Sequence, residues 1–124
     1  MADLIYKDEV YKIVGAAMEV HKILGSGFLE AVYQEALAIE LKLRNIPFSE
    51  FQKIEINYKE FKLEKYYIPD FLCFDKIIVE NKAISNCTPN DEAQVINALK
   101  SSKMKVGILF NFGEPSLFWQ RFVN

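Results

Sequence analysis

The hydrophobic period of this 124-residue chain changes once, near Pro47. From Asp8 to Leu24 apolar residues recur with helical spacing, and a second stripe of the same kind runs from Leu29 to Leu41. Beyond Pro47 the pattern alternates and is rich in Ile, Tyr and Phe, which is typical of strands. A chain with both periods must pack helices against a sheet. The sequence therefore predicts an α/β or α+β fold in which helices flank one central mixed β-sheet.

Local signals place the boundaries of these elements. Glycines within 25–27 end the first helix, and the second helix ends near Arg44-Asn45, before the proline. The pattern predicts strands near 52–58, over about 62–74 and over 76–83, then a helix, a buried strand over 105–112 and a last strand over 116–123. Thr88, Pro89 and Asp91 read as the N-cap, first position and third position of that helix. The first three strands are expected to form an antiparallel meander, beside which the later strand returns.

Length and composition restrict the classes of protein that remain. At this length the chain is one domain, residues 1–124, and its 51% hydrophobic and 26% charged residues are ordinary for a globular protein. No apolar run approaches the roughly 18 to 20 residues that span a bilayer, and no signal-peptide pattern is present, so we expect no membrane association and a cytoplasmic location. A net charge of −2 argues against a protein that binds nucleic acid mainly through its overall charge. It is compatible with a local basic surface. The single histidine, His21, excludes His-rich zinc sites and reads as a surface or boundary residue.

Three charged residues interrupt the apolar strands: Asp70, Glu80 and Lys82. Glu80 and Lys82 are two apart and share one face of a strand. The loop of the hairpin decides where Asp70 points. A two-residue loop would pair Asp70 with Asn81 and turn it away from Glu80, whereas a three-residue loop or a bulge would set Asp70 opposite Glu80. We predict the odd-numbered loop or the bulge, because it gathers all three charges.

Such a cluster has a definite chemistry. Two adjacent carboxylates repel unless a proton or a cation neutralises them, and Mg²⁺ accepts oxygen ligands at about 2.0–2.1 Å while keeping several waters. Asp70 and Glu80 would be ligands, with the Asn81 carbonyl as a further candidate, and Lys82 could orient the attacking water and stabilise charge on a phosphate. Spacing alone fits equally well a structural salt bridge at a sheet edge, joining Lys82 to one of the two carboxylates.

Two sequence motifs resemble a known family. "PDFLCF" followed by "IIVENKA" resembles the P-D…(D/E)-x-K signature of the PD-(D/E)XK nuclease superfamily. "GFLEAVY", Gly27 to Tyr33, fits G-x-x-E-x-x-Y and resembles the GxxExxY family of that superfamily. The similarity runs from about Val14 to Phe112, with Asn45 where a glycine is usual and Ala98 in place of an aromatic residue. The resemblance implies a restriction-endonuclease-like core.

The resemblance also implies a Mg²⁺-dependent nuclease, with Mn²⁺ as the alternative ion, that acts on DNA or RNA. Carried onto this sequence, it makes Asp70 and Glu80 metal ligands and Lys82 the catalytic lysine. Glu30 would be the acid on a helix that reaches the metal directly or through water, and Gln94 would help to order the site. Tyr33 is expected to be a packing residue rather than a nucleophile.

A second function stays open from the sequence. A non-catalytic nucleic-acid-binding or accessory subunit that retains the nuclease fold is favoured by the sequence pI of about 5.5 and by the lack of a dedicated recognition domain. The intact P-D…E-x-K pattern favours the nuclease. A homodimer is expected if the substrate is a duplex, because two sites would then face the two strands.

Overall fold

The structure is a computed structural model that describes residues 4–124. Three helices and seven strands follow one another as α1 (Lys7–Leu24), α2 (Glu30–Leu43), β1 (Phe48–Glu50), β2 (Ile54–Tyr58), β3 (Phe61–Tyr67), β4 (Phe71–Cys73), β5 (Ile77–Lys82), α3 (Pro89–Ser102), β6 (Val106–Asn111) and β7 (Phe118–Val123). None of these helices is both long enough and apolar enough to cross a membrane.

Five strands form the central sheet in the order β1-β4-β5-β6-β7. Neighbouring strands are antiparallel except β5 and β6, which are parallel because α3 carries the chain from the end of one to the start of the other. The sheet is therefore mixed, as the sequence predicts. β5 lies in its middle, with β4 on one side and β6 on the other.

Helices cover both faces of this sheet, and β5 shows how. Ile77 and Val79 point into the core beneath α1 and α2, and Ile78 points into the second core beneath α3. Because both faces of the strand are buried, it reads as a continuous apolar run rather than an alternating one. Its charged residues, Glu80 and Lys82, come only at its C-terminal end.

The prediction of a three-stranded meander is wrong. The strand expected over about 62–74 is two strands, β3 and β4, which separate at Ile68-Pro69 because proline has no N–H for a ladder bond. β2 and β3 form a two-stranded sheet of their own. The place beside β4 is taken by β1, a three-residue strand that the sequence pattern does not reveal.

Local signals at the helix ends are largely confirmed. Gly25 follows α1 with a φ of 71°, and Asn45 follows α2 with a φ of 57°, which explains why glycine suits that position and asparagine is tolerated. Thr88 and Asp91 form the expected capping box of α3. The expectation for His21 is wrong in detail, since its ring is buried at the end of α1 and hydrogen-bonds the Glu114 carbonyl at 2.9 Å.

Candidate active site

The register of the β4–β5 hairpin decides where Asp70 points. Cys73 pairs with Ile77, which leaves a three-residue loop over 74–76, and Phe71 pairs with Val79. The same register carried one step further sets Asp70 opposite Glu80. The odd-numbered loop that the sequence predicts is therefore confirmed, and the two acidic residues share one place in the sheet.

Side chains replace the backbone ladder where the two strands begin to separate. The Asp70 N–H donates to Glu80 Oε1 at 2.8 Å, and the Asn81 N–H donates to Asp70 Oδ2 at 2.7 Å. Each carboxylate thus satisfies a backbone donor just beyond Phe71 and Val79, where the β4–β5 ladder stops. The two hydrogen bonds fix both carboxylates at the point where β4 and β5 part.

Burial and mutual repulsion perturb this pair of carboxylates. Burial, and then the charge of Asp70, raise the pKa of Glu80 from 4.5 to about 7. Burial also raises the pKa of Asp70, although the Asn81 N–H and the Lys82 ammonium partly offset the rise. Two acids in such an environment favour either a shared proton or a bound cation.

Tyr67, the last residue of β3, lies beside Glu80. Burial and the charge of Glu80 both raise the pKa of its phenol, and its hydroxyl forms no well-aligned hydrogen bond with residues 4–124. Tyr67 is not among the site residues predicted from the sequence. The strand alternation that places Ile54 opposite Tyr67, in the core beneath α3, is the signal that could have drawn attention to it.

Lys82 projects from the same face of β5 as Glu80, and its ammonium lies 3.7 Å from Asp91 Oδ1 at the start of α3. A quarter of the lysine side chain is exposed. Its charge offsets part of the rise in the pKa of Asp70 and Glu80, but it forms no ion pair with either among residues 4–124. The salt bridge that the spacing also allowed is therefore not present, and β5 is not a sheet edge.

The backbone that carries Lys82 is held in place by β6. The Phe112 N–H donates to the Lys82 carbonyl at 2.8 Å, and the Asn111 amide exchanges two hydrogen bonds of 3.0 Å with the backbone of Ile84. Asn111 is fully buried. Gly113 passes so close that an added Cβ would lie 2.2 Å from the Ile84 oxygen.

The G-x-x-E-x-x-Y stretch shapes the loop that starts α2. Gly27 has a φ of 115°, which a residue with a side chain rarely adopts. The Tyr33 hydroxyl donates to the Gly25 carbonyl at 2.6 Å and accepts from the Phe28 N–H at 3.2 Å. Tyr33 is buried, which confirms that it is a packing residue, and this loop sets the direction in which Glu30 leaves the helix.

Glu30 is the first residue of α2 and shares a groove of about 1050 Å³ with Asp70, between α2 and β1. Partial burial and the charge of Asp70 raise the pKa of Glu30, while Lys82 lowers it. Across residues 4–124, however, no three His, Cys, Asp or Glu side chains converge closely enough to hold a metal ion. Glu30 therefore faces the carboxylate pair without joining it.

Gln94 is exposed on α3, one turn after Asp91. It forms no hydrogen bond with the part of the chain that the structure describes. Its role in the site stays a prediction.

Gln34 contacts the candidate site but is not among the residues predicted from the sequence. Its amide donates to the Asp70 carbonyl at 3.3 Å and to Glu50 Oε2 at 3.1 Å, and it accepts from Asn81 Nδ2 at 2.9 Å. It thereby joins α2, β1 and the two central strands behind the carboxylates. Its position four residues after Glu30, on the same helical face, is the sequence feature from which its contact with the site could have been predicted.

The donor set fits a hard divalent cation. Asp70 and Glu80 each accept a backbone N–H with one oxygen, which leaves one further carboxylate oxygen on each residue, and the Tyr67 hydroxyl lies beside Glu80. Asn81 Oδ1 is buried without a partner within residues 4–124, but alternation along β5 turns the Asn81 side chain toward α2, away from the Glu80 face. Carboxylate and amide oxygens are the ligands that Mg²⁺ and Mn²⁺ prefer, and Mg²⁺ commonly needs only one or two carboxylates.

One of three comparisons with known proteins identifies a family for this chain. A family model described as PD-(D/E)XK nuclease superfamily matches residues 7–122. No curated protein and no solved structure matches the chain. The helix-flanked mixed sheet is consistent with the restriction-endonuclease-like fold. This chain belongs to the PD-(D/E)XK nuclease superfamily.

Proposed function

We propose that this protein is a metal-dependent nuclease that hydrolyses phosphodiester bonds of DNA or RNA, with Mg²⁺ or Mn²⁺ as its cofactor and the cytoplasm as its expected compartment. One observation carries the proposal: the hairpin register sets Asp70 opposite Glu80, with Lys82 on the same face of β5. Membership of a nuclease superfamily supports it. Nucleases of that superfamily usually use divalent metals.

Asp70, Glu80 and Lys82 would have different roles, which follow from their charge and surroundings. Asp70 and Glu80 would hold the cation through the oxygens that their backbone hydrogen bonds leave available. When bound, the cation would supply a Lewis acid for the attacking water and the scissile phosphate. Lys82 would stabilise the charge that develops on that phosphate, and Asp91 positions its ammonium.

Two further residues complete the proposed site. Glu30 would act from the groove side, through a water rather than as a direct ligand, because it faces the carboxylate pair without joining it. Gln94 would act from α3, near the end at which Asp91 contacts Lys82. The motif from Gly27 to Tyr33 supports assignment to the GxxExxY family, since each of its three defining residues has a physical role in the loop or site.

A cleavage assay tests the proposal. Labelled single-stranded and duplex DNA and RNA are incubated with the wild type, Lys82→Ala and Asp70→Asn while Mg²⁺ or Mn²⁺ is varied. We expect cleavage by the wild type that EDTA abolishes, and a loss of at least about 100-fold in each variant. Asp8→Asn, at an exposed position in the first turn of α1 outside the groove between α2 and β1, is the matched control and should cleave at the wild-type rate. Equal cleavage by wild type and Lys82→Ala would reject the assigned roles.

The alternative, a non-catalytic nucleic-acid-binding or accessory subunit, also has one observation in its favour. Lys82 contacts Asp91 rather than the carboxylate pair. Under this alternative the wild type would bind nucleic acid and cleave none of the four substrates with either metal. A homodimer stays a prediction that applies to duplex cleavage, and sedimentation of the wild type at assay concentration tests it.

A further inference from the structure

The β2–β3 hairpin lies outside the central sheet and leads directly into the candidate site. At its base Ile54 is buried beneath α3 and pairs with Tyr67. Tyr67 lies beside Glu80 and precedes Asp70 by three residues. β3 has seven residues, and a strand of that length extends about 20 Å. The hairpin is therefore an arm with one end fixed at the carboxylates.

One face of this arm carries large apolar side chains in solvent. Alternation along β3 places Phe61, Leu63, Lys65 and Tyr67 on the same face, and Tyr58 pairs with Phe61 across the hairpin. The register irregularity adds two residues to β3, an even number, so the face is kept from tip to base. We call Tyr58, Phe61, Leu63 and Lys65 the aromatic face of the hairpin.

Exposure of these rings is unusual for residues of their size. Phe61 is 69% exposed and Tyr58 60%, and Leu63 beside them is 39% exposed. Exposed apolar residues that form a contiguous patch mark a binding surface more often than scattered ones do. The patch continues along the strand to Tyr67, which lies beside Glu80.

The charges on the hairpin indicate the chemistry of its ligand. Residues 53–66 carry four lysines and three glutamates, which makes the arm slightly basic in a chain of net charge −2. The Lys59 ammonium lies 5.6 Å from the centre of the Tyr58 ring, and on the opposite face of the hairpin Lys53 lies 4.4 Å from that of Tyr66. Lys65, on the aromatic face itself, has no ion-pair partner among residues 4–124. Rings interleaved with ammonium groups match a polymer of flat bases and phosphates.

We propose that the aromatic face of the hairpin binds single-stranded nucleic acid and delivers it to the Asp70–Glu80 site. Unpaired bases stack on Tyr58 and Phe61, and phosphates lie near Lys59 and Lys65. A duplex hides its base faces, so the arm selects strands whose bases are unpaired. The direction of delivery rests on the proposed nuclease function, while the binding itself does not.

Fluorescence anisotropy with a labelled oligonucleotide tests the binding. Single-stranded DNA, single-stranded RNA and the matching DNA duplex are titrated in EDTA, so that no cleavage occurs. We expect the single strands to bind more tightly than the duplex, and each of Tyr58→Ala and Phe61→Ala to weaken single-strand binding about tenfold. The variants Tyr58→Phe and Phe61→Tyr keep a ring and should retain the affinity.

Tyr11→Ala is the matched control, because Tyr11 is a tyrosine that is 80% exposed on α1 and is not part of the hairpin. It should bind like the wild type, and the urea midpoints of all variants are compared to establish that they are folded. Unchanged affinity in Tyr58→Ala and Phe61→Ala would overturn the inference and leave the face to a protein partner. Duplex binding as tight as single-strand binding would also overturn it.

The two proposals fail in different ways. If the wild type cleaves with Mg²⁺ and the ring variants bind and cleave equally well, the hairpin inference is wrong and the nuclease proposal stands. If loss of the rings weakens binding but no cleavage occurs with Mg²⁺ or Mn²⁺, the inference stands and the nuclease proposal is wrong.

Discussion

Replacing Glu80 with glutamine should stabilise the metal-free protein at pH 8. Burial and the charge of Asp70 raise the pKa of Glu80 to about 7 in the folded state, against 4.5 for an unperturbed glutamate. The folded protein therefore binds this proton more tightly than the unfolded chain. Stability from the bound proton is fully present below about pH 4.5 and is lost as the pH rises through about 7.

The size of the effect follows from the same shift. One pKa unit corresponds to about 1.36 kcal/mol, so the ionised Glu80 side chain costs the folded state about 3 kcal/mol at pH 8. Glutamine has nearly the same shape, carries no charge and keeps an oxygen that can accept from the Asp70 N–H. We expect Glu80→Gln to raise the free energy of unfolding by about 2 kcal/mol at pH 8 and to lose most of that advantage at pH 5.

Urea unfolding in EDTA at the two pH values measures this difference. Glu64→Gln, at an exposed position of β3, is the control and should show no such change with pH. Added Mg²⁺ should reverse the order at pH 8, because the wild type gains a bound cation and the variant lacks one of its ligands. A stability difference between wild type and Glu80→Gln that is the same at pH 5 and pH 8 would show that ionised Glu80 does not destabilise the folded state.

Two further variants test the supports of the site. Tyr33→Phe removes the hydroxyl that holds the loop before α2 through the Gly25 carbonyl, and should lower the free energy of unfolding by about 1–2 kcal/mol in urea titrations. Gly113→Ala should destabilise far more, because its Cβ would lie 2.2 Å from the Ile84 oxygen, whereas Gly15→Ala, inside α1 with only a flexible arginine at 3.2 Å, should change the midpoint little. A Gly113→Ala midpoint equal to that of Gly15→Ala would show that the chain after β5 is not held as described.

The carboxylate pair could be predicted from the sequence because it depends only on whether the β4–β5 loop has an odd or an even number of residues. Alternation along a strand leaves two possibilities for Asp70, and the demand that it meet Glu80 selects the odd-numbered loop. No glycine marks that loop, since Phe74 and Asp75 adopt its positive φ values of 55° and 59°. The length of this loop can therefore be predicted from the requirement that Asp70 meet Glu80, and not from turn propensities.

The remaining contacts of the site depend on separations that sequence patterns do not report. Gln34 reaches Asn81 across 47 positions, and Lys82 meets an aspartate that reads from sequence only as a helix cap. Pro69 predicts the break between β3 and β4, whereas the strong alternation on both sides of it predicts one continuous strand. β1 has three residues, too few for any period to be visible.

The most direct test of the metal site is a crystal structure of the wild type grown with Mn²⁺, with anomalous diffraction used to locate the ion. We predict a peak in contact with one oxygen each of Asp70 and Glu80, at about 2.2 Å, and no such peak in Asp70→Asn. A saturating Mn²⁺ concentration that leaves no peak between these two carboxylates, or places the ion elsewhere, would contradict it.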